Sequence, residues 1–446
     1  MATAVAPAAT TSWRGIWDLA WPLVLTMVLN ALIGLLDAAI AGRYDAASQA
    51  AVGMTNQIIF LINAAVTAAS VGCQALVARF VGADDWDQAG LAAQQTLILG
   101  IGVTIAIMVP LWLFAPQFYA AMGASPEVVR AGTSYLRTVL TALLPMDVVI
   151  LVNSVFRARG RTTALLVSNL VESGCWALGS LGLGLYAGLG LPGLALAFVA
   201  GKLAGMGVTL GLFRRSRVYR FMPAGWRPQA VWFRRILVIG LPSGIQVLIR
   251  NAGVMALFGV LNKLPGPTEA VAAFVIGSRI EAMAFLPVFA LNFATATLVG
   301  QNLGAGRPDD AAHAAWRVAL VGVGIMSVFG LLFVALADPL AGAFTQDPGV
   351  RALAASYLRV VGLSEPFLGL VMVLNGGLQG AGATQPPLLF TFSAQICLRV
   401  PLAYGLAVLL HWGPTGVWWA FTVSIVVQAT LVTTYFVRGK WKTKEV

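Results

Sequence analysis

Apolar runs of about 20 residues or more, each long enough to cross the hydrocarbon core of a bilayer, recur along the whole chain, and no other feature constrains the fold as strongly. Lipid offers no hydrogen-bond partner to a backbone N–H or C=O, so a spanning segment is either a helix or a strand of a closed barrel. These runs are too long and too continuous for the alternating pattern of barrel strands, which leaves helices. Composition agrees. Of 446 residues, 59% are hydrophobic and only 10% charged, whereas a soluble domain carries about a quarter charged. The expected fold is an all-α polytopic membrane protein with about twelve transmembrane helices, at roughly 16–41, 50–78, 91–115, 131–156, 162–186, 190–213, 233–261, 271–300, 312–336, 354–379, 385–410 and 414–437.

The net charge of +11 is not spread evenly. Arg79 follows the second span, and Arg157, Arg159 and Arg161 follow the fourth. Arg214, Arg215, Arg217, Arg220, Arg227, Arg234 and Arg235 follow the sixth. Arg307 follows the eighth, and Arg438, Lys440, Lys442 and Lys444 form the tail. The opposite loops hold little beyond Arg43, Arg130, Lys263 and Arg351. Loops rich in Lys and Arg stay in the cytoplasm, so both termini and the central loop are expected there, in a multi-pass protein of the cytoplasmic (inner) membrane. Basic clusters that alternate strictly with spans argue against a nucleic-acid partner. Cys73, Cys175 and Cys397 all fall in apolar segments, which argues against a disulfide framework. The polar N-terminal stretch lacks a basic region before a short apolar core, so no cleaved signal peptide is expected.

The two halves repeat. Ser134-Tyr-Leu-Arg137 returns as Ser356-Tyr-Leu-Arg359, an offset of 356 − 134 = 222. The same offset pairs Asn153 with Asn375, Gly160 with Gly382, Thr162 with Thr384, Gly82-Ala83 with Gly304-Ala305 and Asp87 with Asp309. Six spans is an even number, so both halves start on the same side of the membrane and the repeats are parallel. The expected organisation is an N-terminal six-helix lobe over 1–213, a cytoplasmic basic linker over 214–232 and a C-terminal six-helix lobe over 233–446. Two such lobes would face a central cleft, which rocking exposes to alternate sides.

Several stretches resemble the multidrug and toxic compound extrusion (MATE) transporters of the common bacterial type. Trp21-Pro22 through Asp37-Ala-Ala-Ile-Ala-Gly42 is similar to that family's first helix. Ile276-Gly-Ser-Arg-Ile-Glu281-Ala-Met-Ala-Phe-Leu-Pro287 resembles its eighth, and Val299-Gly-Gln-Asn-Leu-Gly-Ala-Gly306 the loop that closes it. Leu378-Gln-Gly-Ala-Gly-Ala-Thr384, Arg399-Val-Pro-Leu-Ala-Tyr404 and Gly416-Val-Trp-Trp-Ala420 also look like family patterns. The resemblance covers nearly the whole chain. It implies a twelve-helix, two-lobed exporter of amphipathic, often cationic small molecules, driven by sodium or proton gradients.

Ionisable groups inside spans cost about 2.5–3.5 kcal/mol on insertion scales and usually face a cavity or a partner. Asp37 lies near the outer end of the first helix, with Asn30 seven residues earlier on the same face. A carboxylate with an amide beside it suits a proton or a hard cation such as sodium, and the resemblance places a coupling acid at this position. Glu172 and Asn169, three apart on the fifth helix, share a face. Family members often carry an Asn here followed four residues later by an acid. In this chain Glu172 stands at the amide's place and Trp176 at the acid's, so a rebuilt ion site with Asp37 and Glu172 as its charged members is expected. A structural carboxylate is the alternative for Glu172. Asn153 completes the candidate coupling set.

Glu281, Glu365, Arg399 and Asn375 of the second half, with Asn56 of the second span, form the candidate substrate or polar site. Arg279 is two residues from Glu281 and points elsewhere, so Arg399 is the expected cross-helix partner of Glu281 or Glu365, either as a functional group or as a static ion pair. Some family members carry a coupling glutamate on the seventh helix after Leu241-Pro-Ser-Gly244. Here Arg250 stands at about that point, and an Arg cannot bind a cation. Lys202, in the sixth span, has no partner that the sequence identifies. Pro22, Pro145, Pro242, Pro287 and Pro366 are candidate kinks.

No G-x-x-x-x-G-K-[ST] phosphate cradle occurs, and the two histidines, His313 and His411, look peripheral. An intramembrane enzyme would lack a recognisable nucleophile, base or metal constellation. A flippase for lipid-linked sugars would call for extra C-terminal spans and a strongly cationic cavity. The expectation is therefore a non-enzymatic antiporter. It would use no cofactor beyond H+ or Na+, with small-molecule substrates and membrane lipids as its partners, and act as a functional monomer.

Overall fold

The structure, a computed structural model, describes residues 12–216 and 223–444. The first eleven residues, where no leader is expected, lie outside that range, as do Arg217 and Arg220 of the central basic segment. In chain order the helices of the first half are α1 (Trp13–Ala41), α2 (Ala46–Gly82), α3 (Trp86–Leu113), α4 (Ala115–Ala121), α5 (Pro126–Thr141), α6 (Leu143–Ala158), α7 (Thr162–Gly179) and α8 (Gly190–Arg215). Those of the second are α9 (Ala230–Leu261), α10 (Pro267–Gly304), α11 (Pro308–Ala335), α12 (Ala337–Gly342), α13 (Pro348–Gly362), α14 (Glu365–Gly380), α15 (Gln385–Phe392), α16 (Val400–Tyr404) and α17 (Pro414–Val437). Wider π turns continue α7 over Ser180–Tyr186 and flank α16 over Ser393–Arg399 and Gly405–Leu409.

Among the described residues, ten helical segments are long and apolar enough to cross a membrane. Counting each of the bent pairs α5/α6 and α13/α14 as one span gives twelve. The bends measure 40° and 56°. Both restart at a proline in the opening turn, Pro145 in α6 and Pro366 in α14. There the missing N–H costs nothing, while the ring blocks continuation from the preceding helix. Pro22, Pro242 and Pro287 sit inside helices that run on unbroken.

The chain forms two compact units, one over Trp17–Leu241 and the other over Pro242–Val446 together with the stretch up to Ile16. The sequence repeat persists in backbone detail. Gly160 and Gly382 both take left-handed backbone, at φ +80° and +74°. Their N–H groups close the preceding helices on Arg157 O at 2.8 Å and Gln379 O at 2.9 Å. Asp84 (φ +59°) and Gly306 (φ +70°) keep the same offset. Further on, Gly188 matches His411 and Gly190 matches Gly413, at an offset of 411 − 188 = 223, which marks a one-residue insertion in the second copy.

His411 therefore holds φ +57° where its repeat mate is glycine. A side chain in that region costs roughly 1–2 kcal/mol. His411→Gly should raise stability by about 1 kcal/mol, seen as a higher thermal midpoint of the purified protein; an unchanged or lower midpoint would show that the histidine side chain offsets its own backbone strain.

Small residues let helix backbones touch, as they do in membrane bundles. A Cβ on Gly376 or Gly380 of α14 would lie 2.2 Å from Asn292 O or 2.1 Å from Ala296 O of α10. In the first unit the same i, i+4 spacing puts Gly201 and Gly205 of α8 against α7. A Cβ there would meet Trp176 Cβ at 2.8 Å or Glu172 Oε2 at 2.8 Å. This close approach fixes the register of the polar residues on α7.

Candidate functional site

Asn169, Glu172, Trp176 and Ser180 follow one another at spacings of three and four residues along α7 and its π continuation, so they form one stripe. Part of that stripe meets α1. Asn169 Nδ2 donates to Asn30 Oδ1 at 3.1 Å, and Ser180 Oγ donates to Asp37 Oδ1 at 3.1 Å. The Trp176 indole N–H stands beside Asp37 without closing a hydrogen bond. The two contacts increase together along both helices, so α1 and α7 run parallel here. Ser180 is the first residue of the π turns, and Tyr44 Oη steadies the same turns by donating to Gly184 O at 2.9 Å.

Glu172 turns the other way. It is 5% exposed and pairs with Lys202 of α8 through Oε1. The ammonium lies 5.4 Å from the Trp176 ring centroid and 5.2 Å from that of Phe198. Lys202 thus has a carboxylate and two aromatic faces as partners, none of which its own neighbourhood in sequence reveals. Of the candidate coupling residues, Asn30 and Asn169 meet, Asp37 joins the same stripe through Ser180, and Glu172 is held on the α8 side. Asn153, on α6, keeps a buried Oδ1 with no hydrogen-bond partner.

In the second unit Tyr357 of α13 donates its hydroxyl to Glu281 Oε2 on α10. Glu281 Oε1 and both oxygens of Glu365 are buried without a hydrogen-bond partner, which leaves spare acceptors in a dry setting. The expected direct ion pair with Arg399 is not formed among the described residues: no guanidinium nitrogen reaches either carboxylate within 4.0 Å. The reason lies on α17. Arg399 Nε donates to Ser424 Oγ at 2.7 Å, and its Cζ stacks 4.0 Å from the Phe421 ring centroid. Arg399 still acts on Glu281 across the gap. Asn375 is buried with an unpartnered Oδ1, whereas Asn56 is exposed.

Sequence reasoning missed two groups. Asp147 of α6 is fully buried, receives the Thr104 hydroxyl on Oδ2 and leaves Oδ1 without a partner. The rule that singled out Asp37 applies equally to this acid inside the fourth span. The second is the tyrosine of the repeated Ser-Tyr-Leu-Arg motif. Tyr357 bonds Glu281, and its repeat mate Tyr135 lies within electrostatic reach of Asp37. The motif was legible, and in the second unit its tyrosine is the hydrogen-bond donor to a buried acid.

Among relatives, a probable multidrug resistance protein NorM of Thermotoga maritima is 26% identical over 441 residues, covering 96% of this chain and 93% of its own. The multidrug resistance protein PmpM of Pseudomonas aeruginosa is 25% identical, covering 93% and 89%. Two solved structures share the fold at 22% identity, each covering 96% of both chains. One is an outward-facing multidrug resistance MATE family transporter of the MOP superfamily, with a TM-score of 0.88; the other is a MATE in the straight conformation, at 0.90. The sequence pattern of the MatE family matches residues 22–178 and 242–405, most of both units. The chain belongs to the MatE family of multidrug and toxic compound extrusion transporters.

Proposed function

We propose that this transporter is a secondary active antiporter, exporting small organic, drug-like compounds of cationic or amphipathic character in exchange for protons or sodium by alternating access. The observation that carries this reading is the Asp37 site. An acid within the first span is held by the Ser180 hydroxyl beside the Trp176 indole, and the Asn30–Asn169 pair lies two turns away on the same helix face. An ionisable group in a span marks an ion or substrate path by default. Binding of the ion changes which partners Asp37 can hold, and with them the seating of α1 on α7 at the π turns. Substrate and ion then favour opposite arrangements, and a ligand shifts such an equilibrium only by its differential affinity for the two states. The relatives named for multidrug resistance support the substrate class. The alternation of basic loops supports a place in the inner membrane with both termini cytoplasmic, and the proposed unit of function is the single chain.

Purified protein in proteoliposomes tests this reading. A labelled organic cation should move against its own gradient when a proton or sodium gradient is imposed in the opposite direction, and stop when an ionophore collapses that gradient. Movement of lipid-linked sugars with no drug flux would replace the reading with that of a flippase.

A further inference from the structure

Arg250 of α9 has no part in the proposed exchange. It follows Pro242 by 250 − 242 = 8 residues, as Asn30 follows Pro22 by 30 − 22 = 8, so it stands where the first unit carries an amide. Gln246 and Gly253, four residues before it and three after, share its helix stripe, and both meet the α15 side. Gln246 Nε2 donates to Thr391 Oγ1 at 2.7 Å, and a Cβ on Gly253 would lie 3.6 Å from Gln395 Oε1. In the first unit Asn169 bonds Asn30. Thr391, at 391 − 169 = 222 the repeat mate of Asn169, already accepts from Gln246 and, at 3.0 Å, from Gln428 Nε2. Arg250 is left with no hydrogen bond, ion pair or aromatic ring as partner among the described residues.

A second arginine lies at nearly the same depth. α9 ends at Leu261 and α10 starts at Pro267, so the two run antiparallel, and Phe258 and Phe274 pack edge to face at 5.3 Å. Counted inward from that contact, Arg250 is 258 − 250 = 8 residues on and Arg279 is 279 − 274 = 5. At 1.5 Å per residue they come within about 5 Å of one level. That level is about 16–18 Å from the turn between the helices, near the middle of a hydrocarbon core about 30 Å thick and too deep for snorkelling. Both arginines are exposed, and Arg279 too has no partner among the described residues. Glu281, the nearest acid on α10, is turned inward, 3% exposed and bonded to Tyr357. The accessible charge at this level of α9 and α10 is therefore positive. An arginine facing lipid there is costly, and such groups face a water-filled cavity or a counter-charge. Protein atoms crowd round Arg250 although its side chain stays accessible, which is the setting of a crevice.

We infer that Arg250 and Arg279 form an anion-recognising subsite on the second unit, which takes the carboxylate or sulfonate of an amphipathic substrate. A guanidinium presents a planar fork of N–H donors that matches such a group, and its hydrogen bonds to an anion are charge-assisted. Met283, exposed one turn along α10 from Arg279, offers an adaptable apolar surface to the rest of the molecule. Phosphates of the surrounding bilayer lie at its surface, about 15 Å from this level, so the acid group arrives with the transported molecule. The inference rests on the antiporter reading above and adds a substrate class, acid-bearing amphiphiles, with the two residues that select it.

The test compares two dyes that differ only in charge, dansyl-glycine and its methyl ester, by the change in dansyl emission on binding to the purified full-length protein. At pH 7 the free acid is charged, and wild type should bind it about tenfold or more tighter than the ester. The double variant Arg250→Gln, Arg279→Gln should bring that ratio close to one at an unchanged affinity for the ester. Arg250→Lys, which keeps the charge, should retain part of the preference. Equal wild-type affinity for acid and ester would overturn the inference without any variant having to fold, and so would a folded double variant that still prefers the acid. Binding of a polyprenyl pyrophosphate by a protein that ignores dansyl-glycine would overturn it as well, and would give the arginines to a lipid-linked substrate. The antiporter reading is tested separately, by the gradient-driven flux of the labelled organic cation, and equal binding of the two dyes leaves that flux untouched.

Discussion

Asp37→Asn should abolish gradient-driven efflux, because an amide neither takes up and releases a proton nor offers a charge to a bound cation. The substitution is nearly isosteric. An amide oxygen can still accept from Ser180 Oγ, now 3.1 Å from Asp37 Oδ1, so α1 should stay seated on the π turns of α7. What the variant loses is the ability to alternate between a charged and a neutral state. Binding of the labelled cation should survive, as should the amount of protein in the membrane and its thermal midpoint, while flux and its dependence on the imposed gradient disappear. The two readouts separate a coupling role from a structural one. Near-normal flux in Asp37→Asn would take this residue out of the mechanism and shift attention to Asp147 or to the Glu281–Tyr357 pair.

The fold was legible because the bilayer imposes a simple rule: long apolar runs without backbone partners must be helices. That rule reads hydropathy, and hydropathy does not change where helix geometry does. The π turns at Ser180–Tyr186 and Gly405–Leu409 lie within uninterrupted apolar sequence, so nothing announced them. The one-residue insertion before His411 surfaces only when positive φ angles are aligned between repeats. The bends at Pro145 and Pro366 differ from the unbroken helices at Pro22, Pro242 and Pro287 through position in the helix, which sequence leaves undefined until the boundaries are known.

The candidate site was legible as a set of residues and much less as a set of pairs. Helical spacing put Asn169 and Glu172 on one face, yet one meets α1 and the other α8. Gly201 and Gly205 decide this, because their missing side chains draw α8 onto α7 and present Lys202 to Glu172. A partner 30 residues away on another helix is a matter of register, and spacing within one helix carries no information about it. Arg399 shows the same limit in the second unit. Charge alone suggested a carboxylate partner, whereas Ser424 and Phe421 on α17 hold the guanidinium.

Removing Glu172 alone should be the most destabilising conservative change in the first unit. Glu172→Gln strands the Lys202 ammonium, whose side chain is only 14% exposed, between two aromatic rings. Breaking a buried ion pair from one side costs about 3–5 kcal/mol, because the remaining charge is uncompensated, whereas replacing both partners by groups of similar volume is often close to neutral. The cation–π contacts return about 0.5–2 kcal/mol of that loss at most. Glu172→Gln should therefore lower the thermal midpoint sharply, and the double variant Glu172→Gln, Lys202→Met should recover most of the difference. The coupling between the two sites, taken from the full cycle, should reach about 2 kcal/mol, well above the roughly 0.3–0.5 kcal/mol of sites that do not touch. Additive effects of the two substitutions would mean that the ammonium and the carboxylate are solvated independently, and the α7–α8 seam would then owe its register to Gly201 and Gly205 alone.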